Sequence, residues 1–144
     1  MDKYDCLKLS NQLCFPLYSA ANKIVRNYKP LLDELDLTYT QYITMMVLWE
    51  EGDINEKELG EKLFLKSNTL APLLKKLEAK KYISIKKDKK DARNIVISLT
   101  EEGTKLKDHA LNVPPSIAET VNLSQEEAQM LYGILYKYLK EGEE

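Results

Sequence analysis

Leu13, Leu17, Ile24, Tyr28, Leu31, Leu32 and Leu35 recur at roughly helical intervals, which predicts a long first helix over residues 10–35 with Ser10 or Asn11 as its cap. Pro16, and again Pro30, is expected to interrupt it, since a proline inside a helix removes a backbone hydrogen bond and kinks the axis. Thr38 and Gln41 have capping-box spacing ahead of "YITMMVLWEE", a mostly apolar and therefore buried second helix that stops at Gly52. Met45, Met46 and Trp49 belong most simply to its core face. Asn55 and Glu58 repeat the capping spacing before "EKELGEKLF", a short third helix ending near Lys66 and Ser67.

In "SNTLAPLLKKLEAKK", Leu70, Leu73, Leu74 and Leu77 form one apolar stripe, and the opposite face presents Asn68, Pro72, Lys75 and Ala79, flanked by Thr69 and Lys76. "YISIKK" and "NIVISLT" are short β-rich runs on either side of "DKKDAR", a hairpin with a charged tip. Thr100 caps a helix through about Leu111. A break follows at "NVPP", and Ser124 with Glu127 opens an amphipathic terminal helix. The predicted order is ααααββαα.

Two short helices followed by a basic hairpin describe a winged helix-turn-helix, a mainly α fold with a small β-hairpin wing whose second helix enters the DNA major groove. Charge strengthens that reading. Residues 57–93 hold twelve Lys plus Arg against five Asp plus Glu, a net +7 within a chain whose total is −2. Phosphate attraction and counterion release act locally, so an acidic average does not exclude a polyanionic partner. A solvated lysine-rich surface would carry the same charge, and it is the shape that favours DNA.

The expected DNA contacts are Ser67, Asn68, Thr69, Pro72, Lys75 and Lys76 on the recognition helix. On the wing they are Lys86, Lys87, Lys89, Lys90, Asp91 and Arg93. On an extended strand Asp91 and Arg93 would leave the same face, and the carboxylate would orient the guanidinium for a narrow, electronegative minor groove.

The 144 residues suit one domain. No apolar stretch reaches the ~20 residues that cross a bilayer, and the opening "MDKYDCLKLS" lacks the features of a signal peptide, so a cytoplasmic protein is expected. Cys6, Cys14 and His109 have no zinc-like spacing, and no glycine-rich phosphate loop is present, so neither a metal nor a cofactor is expected.

Two cysteines cannot frame a disulfide scaffold. In "QLCFPLY" Cys14 and Tyr18 stand four residues apart, on one helix face. Composition alone leaves Cys14 either a small core hydrophobe or a reagent.

"DARNIVISLTEEG", residues 91–103, resembles the fingerprint of the MarR family of winged-helix repressors. The likeness extends over nearly the whole chain to the branch of organic hydroperoxide resistance regulators. It runs through "NQLCF" at 11, "YKPLLDELDLTYTQY" at 28, "VLWE" at 47, "KELGEKLFL" at 57 and "TLAPLLKKLE" at 69. The resemblance implies a homodimer with both chain ends, residues 1–36 and 101–144, in a shared helical interface, and a DNA-binding lobe at 37–100. It implies a repressor that holds a pseudo-palindromic operator when reduced and releases it when organic hydroperoxide oxidises Cys14. Tyr28 and Tyr39 match the phenols that reach that thiolate from the partner subunit, and Tyr18 matches a third tyrosine nearby.

Hydroxyl donors aimed at sulfur favour the thiolate, the form that attacks a peroxide. Leu13, Phe15 and Leu17 would suit an organic peroxide.

The chain departs from the branch at Pro16, and at Lys66, Asn68 and Ala71, where Asp, Gly and Thr are more usual. No cysteine follows residue 14, so an oxidised Cys14 would end as a mixed disulfide with a low-molecular-weight thiol or as a bridge to Cys6. Two other functions compete. One is a regulator released by a phenolic or aromatic ligand with Cys14 inert. The other is a thiol peroxidase, disfavoured by the distant His109 and the absence of an evident base.

Overall fold

The computed structural model describes residues 2–141; Met1 and residues 142–144, the outer edges of the expected dimerisation region, lie outside the described residues. Two 3-10 turns, Asp5–Leu7 and Leu9–Asn11, precede α1 (Cys14–Asp33). The helix therefore begins at Cys14 and not at residue 10. Ser10 and Asn11 do not cap it: they lie in the second turn, and the Asn11 amide instead donates to the Asp5 carbonyl at 2.7 Å. Leu13 takes the N-cap position without a side-chain bond.

With that start, Pro16 is the third residue of the helix, where no intrahelical N–H bond exists to lose, so the expected break does not occur. Pro30 also lies inside the continuous helix. Only Leu32 of α1 is buried, which leaves most of its apolar stripe without cover in one chain.

α2 (Tyr39–Glu51) follows the expected plan. Thr38 Oγ1 accepts the Gln41 N–H at 3.3 Å and Gln41 Oε1 accepts the Thr38 N–H at 3.0 Å, a complete capping box. The helix buries Gln41, Tyr42, Thr44, Met45 and Leu48, and ends at Gly52 with φ 75°. Met46 departs from expectation. It points away from the core and is 42% exposed, being one position removed from the Met45 and Leu48 stripe.

β1 (Ile54–Asn55) was not expected, since two residues carry no readable period; it pairs antiparallel with β3. α3 (Glu56–Leu63) is capped by Asn55, and α4 (Ser67–Ala79) buries Leu70, Leu73, Leu74 and Leu77 as predicted. β2 (Ile83–Lys87) and β3 (Ile95–Leu99) form the hairpin, from Ile83 opposite Leu99 to Lys87 opposite Ile95, giving the sheet order β1-β3-β2.

α5 (Glu101–His109) is capped by Thr100. The expected break at "NVPP" is instead a helix, α6 (Val113–Ala118), whose prolines fall in the first turn, where their missing N–H costs nothing. α7 (Gln125–Lys140) begins with the predicted Ser124 and Glu127 capping box and buries no residue.

One core runs from Leu32, Leu35 and Leu37 through α2, α4 and the sheet to Leu106, Val113 and Ile117. No helix among the described residues is long and apolar enough to cross a membrane.

Three helix ends turn on left-handed residues that are not glycine: Asp36 (φ 54°), Phe64 (φ 56°) and Lys81 (φ 68°). Each closes the same doubly bonded corner. At the end of α4 the Tyr82 N–H reaches the Leu77 carbonyl at 3.2 Å and the Lys81 N–H reaches Glu78 at 2.9 Å.

Candidate nucleic-acid interface and thiol site

The leucine stripe of α4 anchors that helix to the core and turns Ser67, Asn68, Thr69, Pro72, Lys75 and Lys76 to solvent. Lys86 and Lys87 end β2, and Lys89 and Lys90 stand in the turn beyond it, all exposed. A cleft of about 460 Å³ between α3, the start of α4 and the wing joins the two elements, bringing Ser67 and Arg93 into one lining with Asn55, Lys57, Lys66 and Asn94. Of these, Lys57 and Asn94 are not singled out by the sequence, and Lys66 stands there as a departure in the recognition segment but not among the expected DNA contacts.

Asp91 and Arg93 do pair, but not on an extended strand. Both lie in the turn between β2 and β3, where Asp91 Oδ1 accepts the Arg93 backbone N–H at 3.1 Å. The guanidinium then meets the carboxylate as a fork, Nε to Oδ1 and Nη2 to Oδ2, each at 3.1 Å. These bonds hold the Asp91 carboxyl below the ordinary carboxylate range, the side-chain contact with Arg93 being the larger cause. The pair is exposed, so it contributes orientation of the arginine and little stability.

Cys14 opens α1 and is exposed, as is Cys6. Its neighbours Leu13, Phe15, Leu17 and Tyr18 are exposed too. The phenols gather elsewhere. Tyr28 and Tyr39 rings stand 4.9 Å apart and Tyr28 and Tyr42 5.7 Å. Burial, then the neighbouring Tyr39 and Tyr42, push the Tyr28 hydroxyl up to about 12, and burial raises Tyr39 and Tyr42 as well. All three therefore stay protonated hydrogen-bond donors at neutral pH. Tyr42 was not singled out from sequence, although it follows Tyr39 by one helical turn.

The structure does not bring Cys14 to this cluster within one chain. Fourteen residues of helix separate it from Tyr28, about 21 Å at 1.5 Å per residue. Tyr18 lies near the thiol's end of α1, 66% exposed.

A helix pair carrying a basic face, a forked arginine on a three-stranded wing and an anchoring leucine core define a winged-helix DNA-binding regulator. Residues 26–110 match the family model "Transcriptional regulator SarA/Rot". The chain is 42% identical to the organic hydroperoxide resistance transcriptional regulator of Bacillus subtilis over 139 residues, 96% of this chain and 95% of that protein. It is 41% identical to the HTH-type transcriptional regulator SarZ of Staphylococcus aureus over 131 residues, covering 91% and 88%.

Among solved structures it resembles AbfR of Staphylococcus epidermidis. Reduced AbfR bound to DNA matches with a TM-score of 0.77 at 32% identity, covering 96% of each chain. The overoxidised form bound to DNA gives 0.78 at 30% identity, covering 96% and 98%. The disulfide form gives 0.62 at 31% identity, covering 96% and 94%. The chain belongs to the MarR family of winged-helix transcriptional regulators.

Proposed function

We propose that this chain is a homodimeric repressor that holds operator DNA while Cys14 is reduced and releases it when an organic hydroperoxide has driven Cys14 into a disulfide. The observation that carries the reading is the cluster of buried Tyr42 with half-buried Tyr28 and Tyr39, hydroxyl donors for which the chain's own Cys14 lies too far away. A second copy supplies the thiol. Residues 1–36 and 101–144 form the dimerisation region and residues 37–100 the DNA-binding lobe. The apolar residues left uncovered favour that division: Phe15, Leu17, Ile24 and Val25 on α1, and Met130, Leu131, Ile134 and Leu139 on α7. In the dimer the two recognition helices reach successive major grooves, ~34 Å apart.

Cys14 thiolate attacks one peroxide oxygen; the S–O bond forms as the O–O bond breaks, and the departing alkoxide takes a proton to become the alcohol. The sulfenic acid then condenses with a second thiol, forming the disulfide and losing water. Cys6 or a low-molecular-weight thiol supplies that sulfur. Disulfide formation, and not oxidation as such, is the releasing event in this reading. It is favoured by AbfR having been solved on DNA both reduced and overoxidised, and by the poorer match of its disulfide form. The chain acts once per signal and has no turnover chemistry.

Fluorescence anisotropy on a labelled duplex from upstream of its own gene tests this at fixed salt, with one equivalent of cumene hydroperoxide and a thiol present. Affinity falls and a reductant restores it; Cys14→Ser does not respond. Equal loss in Cys14→Ser overturns the reading. Intact mass identifies the second sulfur, a gain of the small thiol or a loss of two hydrogens for the Cys6 bridge.

One observation supports a second reading. An open groove of about 400 Å³ beside Tyr42 is lined by Met46, Trp49, Leu111 and Pro114 with one carboxylate, Glu50, and one ammonium, Lys107, and would suit a phenolic or aromatic ligand. Release of DNA by such a ligand from Cys14→Ser protein would favour it.

A further inference from the structure

The far end of the recognition helix is tied to the turn that carries Tyr39. Lys80 is the C-cap of α4, and its side chain is 26% exposed. Its Nζ donates to the Asp36 carbonyl at 2.5 Å and to Gln41 Oε1 at 2.9 Å. That amide oxygen also accepts the Thr38 N–H in the capping box of α2. Tyr39, the first residue of α2, stands between Thr38 and Gln41. Phenol and ammonium are therefore anchored to a single helical turn, although 41 residues separate them in the chain.

The corner beyond Lys80 fixes the wing. Lys81 adopts φ 68°, and Tyr82 Oη donates to the Leu35 carbonyl at 3.4 Å. The Tyr82 carbonyl accepts the Thr100 N–H at 3.1 Å. The start of β2 and the end of β3 thus move with the end of α4.

An ordinary surface ion pair contributes little to stability or coupling. The Asp36 carboxylate, 3.7 Å away and 81% exposed, is one of those. The contact with Gln41 is different, because that residue is 3% exposed and water has little access to replace a lost donor there.

We propose that Lys80 is a positioning residue that couples the phenol cluster to the recognition helix, so that a displacement of Tyr39 is passed through Gln41 to α4 and the wing. This rests on the redox reading above. In the reduced dimer, Cys14 of the partner subunit holds Tyr39, and α4 keeps the DNA-reading position that its leucine stripe sets, with the clamp at rest. When the sulfur enters the disulfide, the turn at Thr38–Gln41 shifts and carries Lys80 with it. Coupling between two sites requires such an element with two arrangements, which both sites bias.

The test is the ratio of DNA affinity before and after hydroperoxide, measured by anisotropy at fixed salt with thiol present, for wild type, Lys80→Met, Lys80→Arg and Gln41→Met. Lys80→Met keeps reduced affinity within about threefold of wild type. Its reduced-to-oxidised ratio falls by about fivefold or more, the low end of ordinary coupling between sites. Lys80→Arg, which can still donate to both oxygens, restores the ratio. Gln41→Met unties the contact from the other side, lowers the ratio likewise and carries the test if Lys80→Met does not fold. A wild-type protein that hydroperoxide leaves on DNA overturns the redox reading and this inference with it. A responsive wild type with an unchanged ratio in Lys80→Met overturns the clamp alone. So does equal loss of reduced and oxidised affinity, which marks a merely structural or DNA-contacting lysine.

Discussion

Replacing Gly103 by alanine places a methyl group where the structure has no room. An added Cβ would stand 2.0 Å from the Tyr82 carbonyl oxygen, 3.0 Å from its carbon and 3.2 Å from Leu99 Cδ2. The obstacle is backbone, which cannot rotate aside as a side chain can. To restore an ordinary contact, α5 must retreat by roughly 1 Å from the start of β2, given how little slack a close-packed interior has. That movement stretches two bonds across the seam: Thr100 N–H to the Tyr82 carbonyl at 3.1 Å and Trp49 Nε1–H to the Gly103 carbonyl at 2.9 Å. Two such bonds contribute about 1 kcal/mol each. Overpacking adds about 1–3 kcal/mol. Alanine's better helix propensity returns up to ~1 kcal/mol, leaving a loss of about 2–4 kcal/mol, a large share of the stability of an ordinary domain. Trp49, the single tryptophan, reports the change directly. In urea unfolding followed by its fluorescence, with protein concentration matched, the midpoint falls by about 1–2 M for a slope near 2 kcal/mol/M. Gly60→Ala meets the Leu65 carbonyl oxygen at 2.8 Å, a milder overlap, and loses less. A Gly103→Ala midpoint within about 0.3 M of wild type would refute the reasoning.

Lys81→Gly relieves a left-handed lysine at an exposed helix end, and stability rises by about 1 kcal/mol, seen as a melting temperature a few degrees higher; an unchanged melting temperature counts against the strain. Arg93→Ala weakens DNA binding across sequences and lowers the slope of log affinity against log salt by about 1 if the forked guanidinium sits at a phosphate; an unchanged slope shows that it does not. Because Arg93 holds the Asp91 carboxyl below its ordinary 3.8, the pair is intact above the carboxylate range and is lost only as pH falls through that lowered value. Arg93-dependent affinity should therefore be flat between about pH 5 and 8. The raised Tyr28 hydroxyl works in the opposite direction: its contribution to stability is whole below pH 10.0 and is lost as pH climbs from there through about 12. Ultraviolet titration of wild type against Tyr28→Phe checks this, and a missing phenol that ionises near pH 10.0 would contradict the burial of that ring.

What the chain discloses about its fold depends on how local the cause is. Thr38 with Gln41 and Ser124 with Glu127 are capping boxes in the sequence and in the structure, because both halves of each lie within one turn. The leucine stripe of α4 is legible for the same reason. Prolines are not, because their effect depends on where the helix starts: Pro16, Pro114 and Pro115 suggest breaks, yet all three stand in first turns. β1 exists only because β3 offers it a partner, and two residues cannot announce that. Asp91 and Arg93 were legible as a pair, but not the turn that joins them, which the Asn94 N–H closes on the Asp91 carbonyl at 3.0 Å within the wider span from the Asp88 N–H to the Asn94 carbonyl.

The thiol site was legible only through resemblance, and the helix geometry explains why. Spacing can reveal neighbours on one helix face, as it does for Tyr39 and Tyr42, but Cys14 and Tyr28 lie on a single helix and about 21 Å apart. No folding of one chain brings them together. The uncovered side chains supply the missing condition: burying a Leu, Ile, Phe or Met contributes about 1.5–3 kcal/mol. The eight named on α1 and α7 would together contribute on the order of 10 kcal/mol or more, comparable with the cost of bringing two molecules together. In the proposed dimer the same association that covers these helices also delivers the thiol to the phenols, so folding and sensing share one interface. A chemical change of one sulfur there acts on surface that holds the dimer together, and a tenfold change in DNA affinity needs only ~1.4 kcal/mol of that total.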